Sequence, residues 1–212
     1  MKKPAFTMLE LVFVIVAIGI LSAVFIPKFG QNKLSEAANQ VISHIRYTQH
    51  LALMDDKFDS TNQNWYKRRW QIIFGTSVYT EGKPAYTIFS DTSETGQPDL
   101  SEIAKNPQDS SKLLSGGYSG TLYTSDSQAT PELNIGKKYG VDSYALSGGC
   151  SGARISFDHL GRPLQGDLSS MTGPYSAGTQ RLITAPCIIT LRRSNDSVQI
   201  VVDPETGYVH LN

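Results

Sequence analysis

The feature that most constrains this chain is an uncharged apolar run near its N-terminus. Residues 11–26 carry no charge, and extending the run back to Phe6 adds Glu10 as its one carboxylate. A helix needs about 20 apolar residues to cross a bilayer core of roughly 30 Å. We therefore predict a membrane-spanning helix over residues 6–27. The basic pair Lys2–Lys3 before it predicts a cytoplasmic N-terminus.

Composition limits the remaining possibilities. The chain has 212 residues, and its 19 basic residues balance its 19 acidic ones. This length predicts one domain, with or without an appendage. The zero net charge argues against wholesale electrostatic binding of nucleic acid. Two cysteines exclude a disulfide-rich scaffold and a four-thiolate zinc site.

Glu10 separates three interpretations of the apolar run. A secretory signal peptide has a shorter apolar core that ends at a small-residue cleavage site, but here the run continues past Ser22-Ala23. A simple signal anchor leaves Glu10 unexplained, because an ionisable residue at membrane depth is costly and indicates a partner. The third interpretation supplies such a partner.

The residues Ala5-Phe6-Thr7-Met8-Leu9-Glu10 resemble the prepilin-type N-terminus of type IV pilins and type II secretion pseudopilins. The resemblance implies a leader of residues 1–5, cleavage by prepilin peptidase between Ala5 and Phe6, and N-methylation of Phe6. The family usually has Gly before the cut, where this chain has Ala5. Pro27, at the end of the run, matches a frequent helix kink of pilins.

The same resemblance implies a role for Glu10 in assembly. It is the fifth residue of the mature chain, and it would pair with the N-terminal amine of a neighbouring subunit in a filament. A buried carboxylate costs several kcal/mol unless it is paired, so this pair would fix the register between subunits. The alternative is a glutamate that snorkels to the membrane interface.

After Pro27 the pattern predicts an amphipathic helix over residues 28–54. Pro27 removes one helical hydrogen bond, which predicts a kink or a local break, and a separate helix after it is the alternative. The apolar residues recur at three- and four-residue steps, as one buried helix face requires: Leu34, Ala37, Ala38, Val41, Ile42, Ile45 and Ala52.

The head, residues 55–212, is predicted to be β-rich. Short β-branched and aromatic runs separated by turn residues predict strands at 70–74, 78–79, 86–89, 153–157, 187–191 and 198–202. A turn over 203–207 leads into a last strand, and 91–149 is expected to hold long loops with at most a small sheet. The predicted fold class is α+β: a long N-terminal helix, membrane-spanning then amphipathic, packed on this head as in the pilin fold.

The head also resembles, more loosely, the GspH/FimT-type minor pseudopilins and minor pilins. The matching segments are 155–164 and 203–209. Some DNA-uptake members end in a basic Gly-Arg-x-Arg turn, whereas this chain has Gly207-Tyr-Val-His210 at that point. This difference weakens the case for DNA binding.

Cys150 and Cys187 are predicted to form a disulfide. The predicted topology places both residues in an oxidising compartment, where a pair of thiols tends to be bonded. The alternative is two buried free thiols.

No residue set predicts catalysis, a cofactor or a metal site, so the chain is not expected to be an enzyme. A nucleophile elbow and a phosphate-cradling loop are absent from the sequence. Two acidic groups lack the spacing of a calcium loop and are predicted to be solvated: Asp55, Asp56 and Asp59, and the pair Asp91 and Glu94. The four histidines are scattered: His44, His50, His159 and His210.

One basic cluster could bind single-stranded nucleic acid, because it combines charge with flanking aromatic rings. Its basic residues are Lys67, Arg68 and Arg69. The favoured interpretation is a strand entry whose aromatic rings pack inward and whose cations are solvated.

The resemblance implies a structural subunit, a minor pseudopilin or minor pilin of a type II secretion pseudopilus or type IV pilus. Such a subunit is single-pass in the inner membrane, with its head in the periplasm, before it enters the fibre. The implied partners are prepilin peptidase, other pilins or pseudopilins, and the inner-membrane assembly platform. The alternative function is a DNA-binding minor pilin of a natural transformation apparatus.

Overall fold

The computed structural model describes residues 7–175 and 181–212, and for residues 23–32 it describes the backbone alone. The predicted leader and the predicted cleavage and methylation site, Ala5 and Phe6, lie outside the described residues.

Helix α1 runs from Met8 to Met54. It is one helix through Pro27, so the alternative of a separate helix after that residue is wrong, and a kink there stays a prediction. The predicted apolar stripe of its second half is buried, which confirms the amphipathic pattern; its members are Leu34, Ala37, Ala38, Val41, Ile42, Ile45 and Ala52.

The fold prediction is wrong in its membrane-spanning half. Among the residues described in full, no helix has both the length and the apolarity to cross a membrane. The fully described part of the apolar run, residues 8–22, rises only about 22 Å as a helix, short of the roughly 30 Å of a bilayer core. The part of α1 after residue 32 carries charges such as Lys33, Glu36 and Arg46.

The rest of the described chain is β-rich, so the fold has α+β content. The strands are β1 Trp70–Gly75, β2 Ala85–Ser90, β3 Lys105–Asn106, β4 Asp109–Leu113, β5 Ser143–Gly148, β6 Arg154–Phe157, β7 Pro163–Gln165, β8 Cys187–Arg193, β9 Asp196–Val202 and β10 Val209–Leu211. A short helix, α2, covers Ile135–Tyr139.

Two antiparallel sheets cover the second half of α1. One sheet has the order β2-β1-β6-β7, the other has the order β10-β9-β8-β5, and β3 and β4 form a separate ribbon. Helix α1 contacts β1 and β6 of the first sheet and β8, β9 and β10 of the second. One hydrophobic core therefore joins the helix to both sheets, and it includes Ile45, Ile72, Ile155 and Ile200.

Most of the predicted strands are confirmed, and the errors have local causes. Residues 78–80 form a 3-10 turn instead of a strand, because the Ser77 side chain caps that turn at its N-terminus. The segment 91–149 contributes more than a small separate sheet, since β5 pairs with β8 at the edge of the second sheet. An edge strand can be polar on its open face, which hides it from a pattern of apolar residues.

Candidate functional site

The first turns of α1 present apolar side chains that nothing within the described residues covers. Every large apolar residue from Met8 to Leu21 is exposed, and even the least exposed of them, Val14, shows 47% of its surface. Contiguous exposed apolar patches of this kind mark interaction sites on proteins. The same helix therefore carries an outward apolar segment and an inward apolar stripe.

Glu10 lies within this segment and caps the helix start. The Thr7 hydroxyl accepts from the Glu10 backbone N–H at 3.3 Å, while Glu10 Oε2 accepts from the Thr7 N–H at 2.8 Å and the Thr7 hydroxyl at 2.9 Å. This is a capping box, which satisfies two donors that a helix N-terminus leaves without intrahelical partners. The sequence carries the signal for it, Thr-x-x-Glu, although our sequence analysis did not use it.

Capping uses only one of the two oxygens of the Glu10 carboxylate. Both hydrogen bonds from Thr7 end on Oε2, and Glu10 Oε1 has no partner within the described residues. An ionised carboxylate accepts on both oxygens. One Glu10 side chain can therefore hold its own helix start and still accept a hydrogen bond from a cation on another molecule.

Cys150 and Cys187 are joined in a disulfide, as predicted, with their Cα atoms 5.0 Å apart. Cys187 begins β8, where it pairs with Gly148 at the end of β5. Both cysteines are buried in the core that receives α1. The bond is thus placed to tie the edge of the second sheet.

The basic cluster is mostly engaged inside the molecule. Arg68 Nε donates to Glu94 Oε1 at 2.9 Å. Arg69 is 97% buried, and its guanidinium lies between the rings of Trp65, 5.4 Å away, and Tyr175, 5.0 Å away. The prediction of solvated cations is wrong for Arg69, because ring stacking holds it inside.

The guanidinium of Arg69 makes no hydrogen bond to any residue that the structure describes, and burial lowers its pKa from the usual value. Removing a cation from water is unfavourable unless something compensates it. The two flanking rings are the compensation that the structure shows.

Asp91, a member of the second acidic group, serves as a local turn acceptor. Asp91 is buried and accepts from the backbone N–H groups of Thr95 and Gly96, so the prediction that it is solvated is wrong. Its burial raises the pKa of its carboxyl. The residues that the structure describes include no group of three or more acidic, histidine or cysteine side chains placed to hold a metal.

A half-buried polar network that the sequence pattern did not predict links α1 to the head. His44 Nδ1 lies 2.6 Å from the Tyr86 hydroxyl, and Gln40 Nε2 donates to the same hydroxyl at 3.0 Å. Burial lowers the pKa of His44 to about 4. The usable signal was the four-residue spacing of Gln40 and His44, which places both on one helix face.

Comparison with known proteins does not assign this chain to a family. No family model, curated protein or solved structure matches it.

Proposed function

We propose that this chain is a structural subunit of a type IV pilin-like filament, a minor pilin or minor pseudopilin processed by prepilin peptidase. The observation that carries the proposal is the contrast within α1 between an exposed apolar N-terminal segment and a second half buried in the head. A helix built in this way offers one segment to other copies or related subunits while the head folds around the other.

Two further observations support the proposal. Glu10, the fifth residue after the proposed cut, keeps Oε1 free while Oε2 caps its own helix. The Cys150–Cys187 disulfide suits a head that folds in an oxidising compartment. The partners in this proposal are prepilin peptidase, other pilins and their assembly platform.

The rival function, DNA binding in a natural transformation apparatus, has less support. Of its three basic residues, Arg69 is buried and Arg68 is bound to Glu94. No observation in the described residues favours it over the filament proposal.

The test separates the charge of Glu10 from its capping role. Glu10→Gln keeps a side chain that can complete a capping box but removes the charge, whereas Glu10→Ala removes both. Glu36→Ala is the matched control, because Glu36 is an exposed glutamate on the same helix beside the packed stripe. Each variant is co-expressed with prepilin peptidase and the pilin assembly proteins of its own organism, and its amount in sheared fibres is measured.

We expect the wild type and Glu36→Ala in the fibre fraction, and neither Glu10 variant. Normal incorporation of Glu10→Gln would show that capping suffices and that the charge pair is wrong. Absence of the wild-type chain from fibres would contradict the proposed function itself.

A further inference from the structure

A cavity of about 360 Å³ lies between α1 and the turn that joins β3 to β4. Its helix side is formed by Gln40, Ser43, His44 and Tyr47, and Gln108 faces them from the turn. Pockets for small ligands usually occupy about 300–1,000 Å³, so this volume suits one small molecule. The cavity is separate from the exposed segment at the start of α1.

Gln40, on the helix side of the cavity, is held in place by the network behind it. Gln40 Nε2 donates to the Tyr86 hydroxyl and to the Glu132 carbonyl at 2.8 Å, and the Tyr139 hydroxyl donates to Gln40 Oε1. Each polar atom of the Gln40 amide is therefore engaged. The Gln40 side chain therefore loses little freedom when a ligand binds beside it.

The same network determines which ring nitrogen of His44 carries the hydrogen. The Tyr86 hydroxyl oxygen accepts from Gln40, and its own proton has His44 Nδ1 as its acceptor at 2.6 Å. With Nδ1 accepting, the neutral imidazole carries its hydrogen on Nε2. His44 thus has one N–H donor, on Nε2, that its contact with Tyr86 leaves unused.

Three more polar side chains of the lining are free to bind. The Ser43 hydroxyl, the Tyr47 hydroxyl and the Gln108 amide make no hydrogen bond within the part of the chain that the structure describes. Hydroxyl and amide groups both donate and accept. The ligand that matches them must therefore also both donate and accept.

The charge of the lining favours a neutral ligand over an anionic one. Among the described lining residues, Glu132 is charged and no lysine or arginine is present. The Glu132 carboxylate lies 3.6 Å from Lys138 Nζ, which offsets its charge. The half-buried ring of Tyr47 adds apolar surface.

We propose that this cavity binds a neutral, hydroxyl-rich ligand of the size of one sugar residue. Sugar hydroxyls donate and accept, which matches Ser43, His44, Tyr47 and Gln108, and the C–H face of the sugar ring can rest on the Tyr47 ring. This inference does not depend on the filament proposal.

The experiment is ligand-observed NMR by saturation transfer on the full chain, kept in solution with a detergent that has no sugar headgroup. The probes are glucose, galactose and N-acetylglucosamine, with glucuronate as an anion of similar shape. Ser43→Leu fills the cavity from an exposed helix position, and Gln108→Ala removes one amide. Gln63→Ala is the control, because Gln63 is exposed and lies outside the cavity lining.

We expect at least one neutral sugar to bind the wild type and Gln63→Ala equally. Its affinity should fall by about tenfold in Gln108→Ala, the size of one lost hydrogen bond, and its signal should vanish in Ser43→Leu. Circular dichroism of each variant establishes that it is folded. The proposal is wrong if no neutral sugar binds, if glucuronate binds more tightly than the neutral sugars, or if Ser43→Leu binds as the wild type does.

Discussion

The two halves of α1 contain similar apolar residues but place them in opposite environments. Ile15 in the first half is 61% exposed, whereas Ile45 in the second half is fully buried against the sheets of the head. Helix propensity is the same for both, so it does not explain the difference. What differs is the presence of a packing partner within the chain.

This contrast gives the exposed half a different physical role. Burial of apolar surface stabilises by about 25 cal/mol per Å², and the second half of α1 gains this stabilisation within the head. No other residue that the structure describes covers residues 8–21, and contact with another molecule would give them this stabilisation. The filament proposal supplies that partner.

The largest expected effect comes from truncating the same residue type in each half. Ile45→Ala should lower the free energy of unfolding of the head by about 4–5 kcal/mol, because it leaves a cavity in the core. Ile15→Ala should change it by less than about 0.5 kcal/mol. Denaturant unfolding of both variants measures the difference, and equal losses would contradict the contrast.

Loss of the disulfide should destabilise the head and leave the exposed half unchanged. The bond closes a loop with a sequence separation of 37 residues, for which chain entropy predicts about 3–4 kcal/mol. The double variant Cys150→Ser/Cys187→Ser should melt several degrees below the oxidised wild type. Calorimetry of the oxidised, reduced and double-variant proteins measures this. Identical melting of all three would show that the bond does not stabilise the fold.

Burial of His44 in the packed half of α1 should also make the stability of the head depend on pH. The pKa of His44 is lowered to about 4 in the fold, below the ordinary value of about 6.5. Between these values the unfolded chain binds a proton that the folded chain does not, so stability falls as the pH is lowered through this window. The loss should reach about 2–3 kcal/mol.

His44→Gln removes this titration and retains a neutral acceptor for the Tyr86 hydroxyl. Denaturant unfolding at pH 7, 5.5 and 4.5 should therefore show a shallower fall in stability for the variant than for the wild type. Parallel profiles would mean that His44 is not the group responsible.

The smallest expected effect lies at the start of the exposed half. Thr7→Ala removes the capping hydroxyl and should destabilise the first turn of α1 by about 1 kcal/mol. Amide hydrogen exchange should accelerate at residues 8–11 and stay unchanged in the head. Unchanged protection of that turn would mean that the capping box does not stabilise it.

The sequence predicted those helices and strands whose pattern of apolar residues reflects their burial. β1, β8 and β9 are rich in β-branched residues, and the stripe around Ile45 has helical spacing, so each was predicted correctly. β5, with the sequence Ser-Tyr-Ala-Leu-Ser-Gly, was not, because it is a polar edge strand held by its pairing with β8.

The candidate site was predicted less completely. The motif indicated Glu10 but not that one of its oxygens caps its own helix, because the resemblance directs attention to a neighbouring subunit. Arg69 was predicted to be solvated, since no local pattern shows that Tyr175, over one hundred residues later, packs on it. Long-range contacts of this kind depend on the tertiary fold and leave no periodic signal.

Site-specific photo-crosslinking in assembled fibres asks whether the exposed half of α1 contacts neighbouring subunits. A photoreactive residue replaces Ile15 in the exposed half of α1, and in a control chain it replaces the exposed Gln63 of the head. We expect covalent adducts with other pilin subunits through position 15, and few or none through position 63. Fibres that contain the chain but give no such adduct at position 15 would contradict the assignment of this half of α1 to assembly.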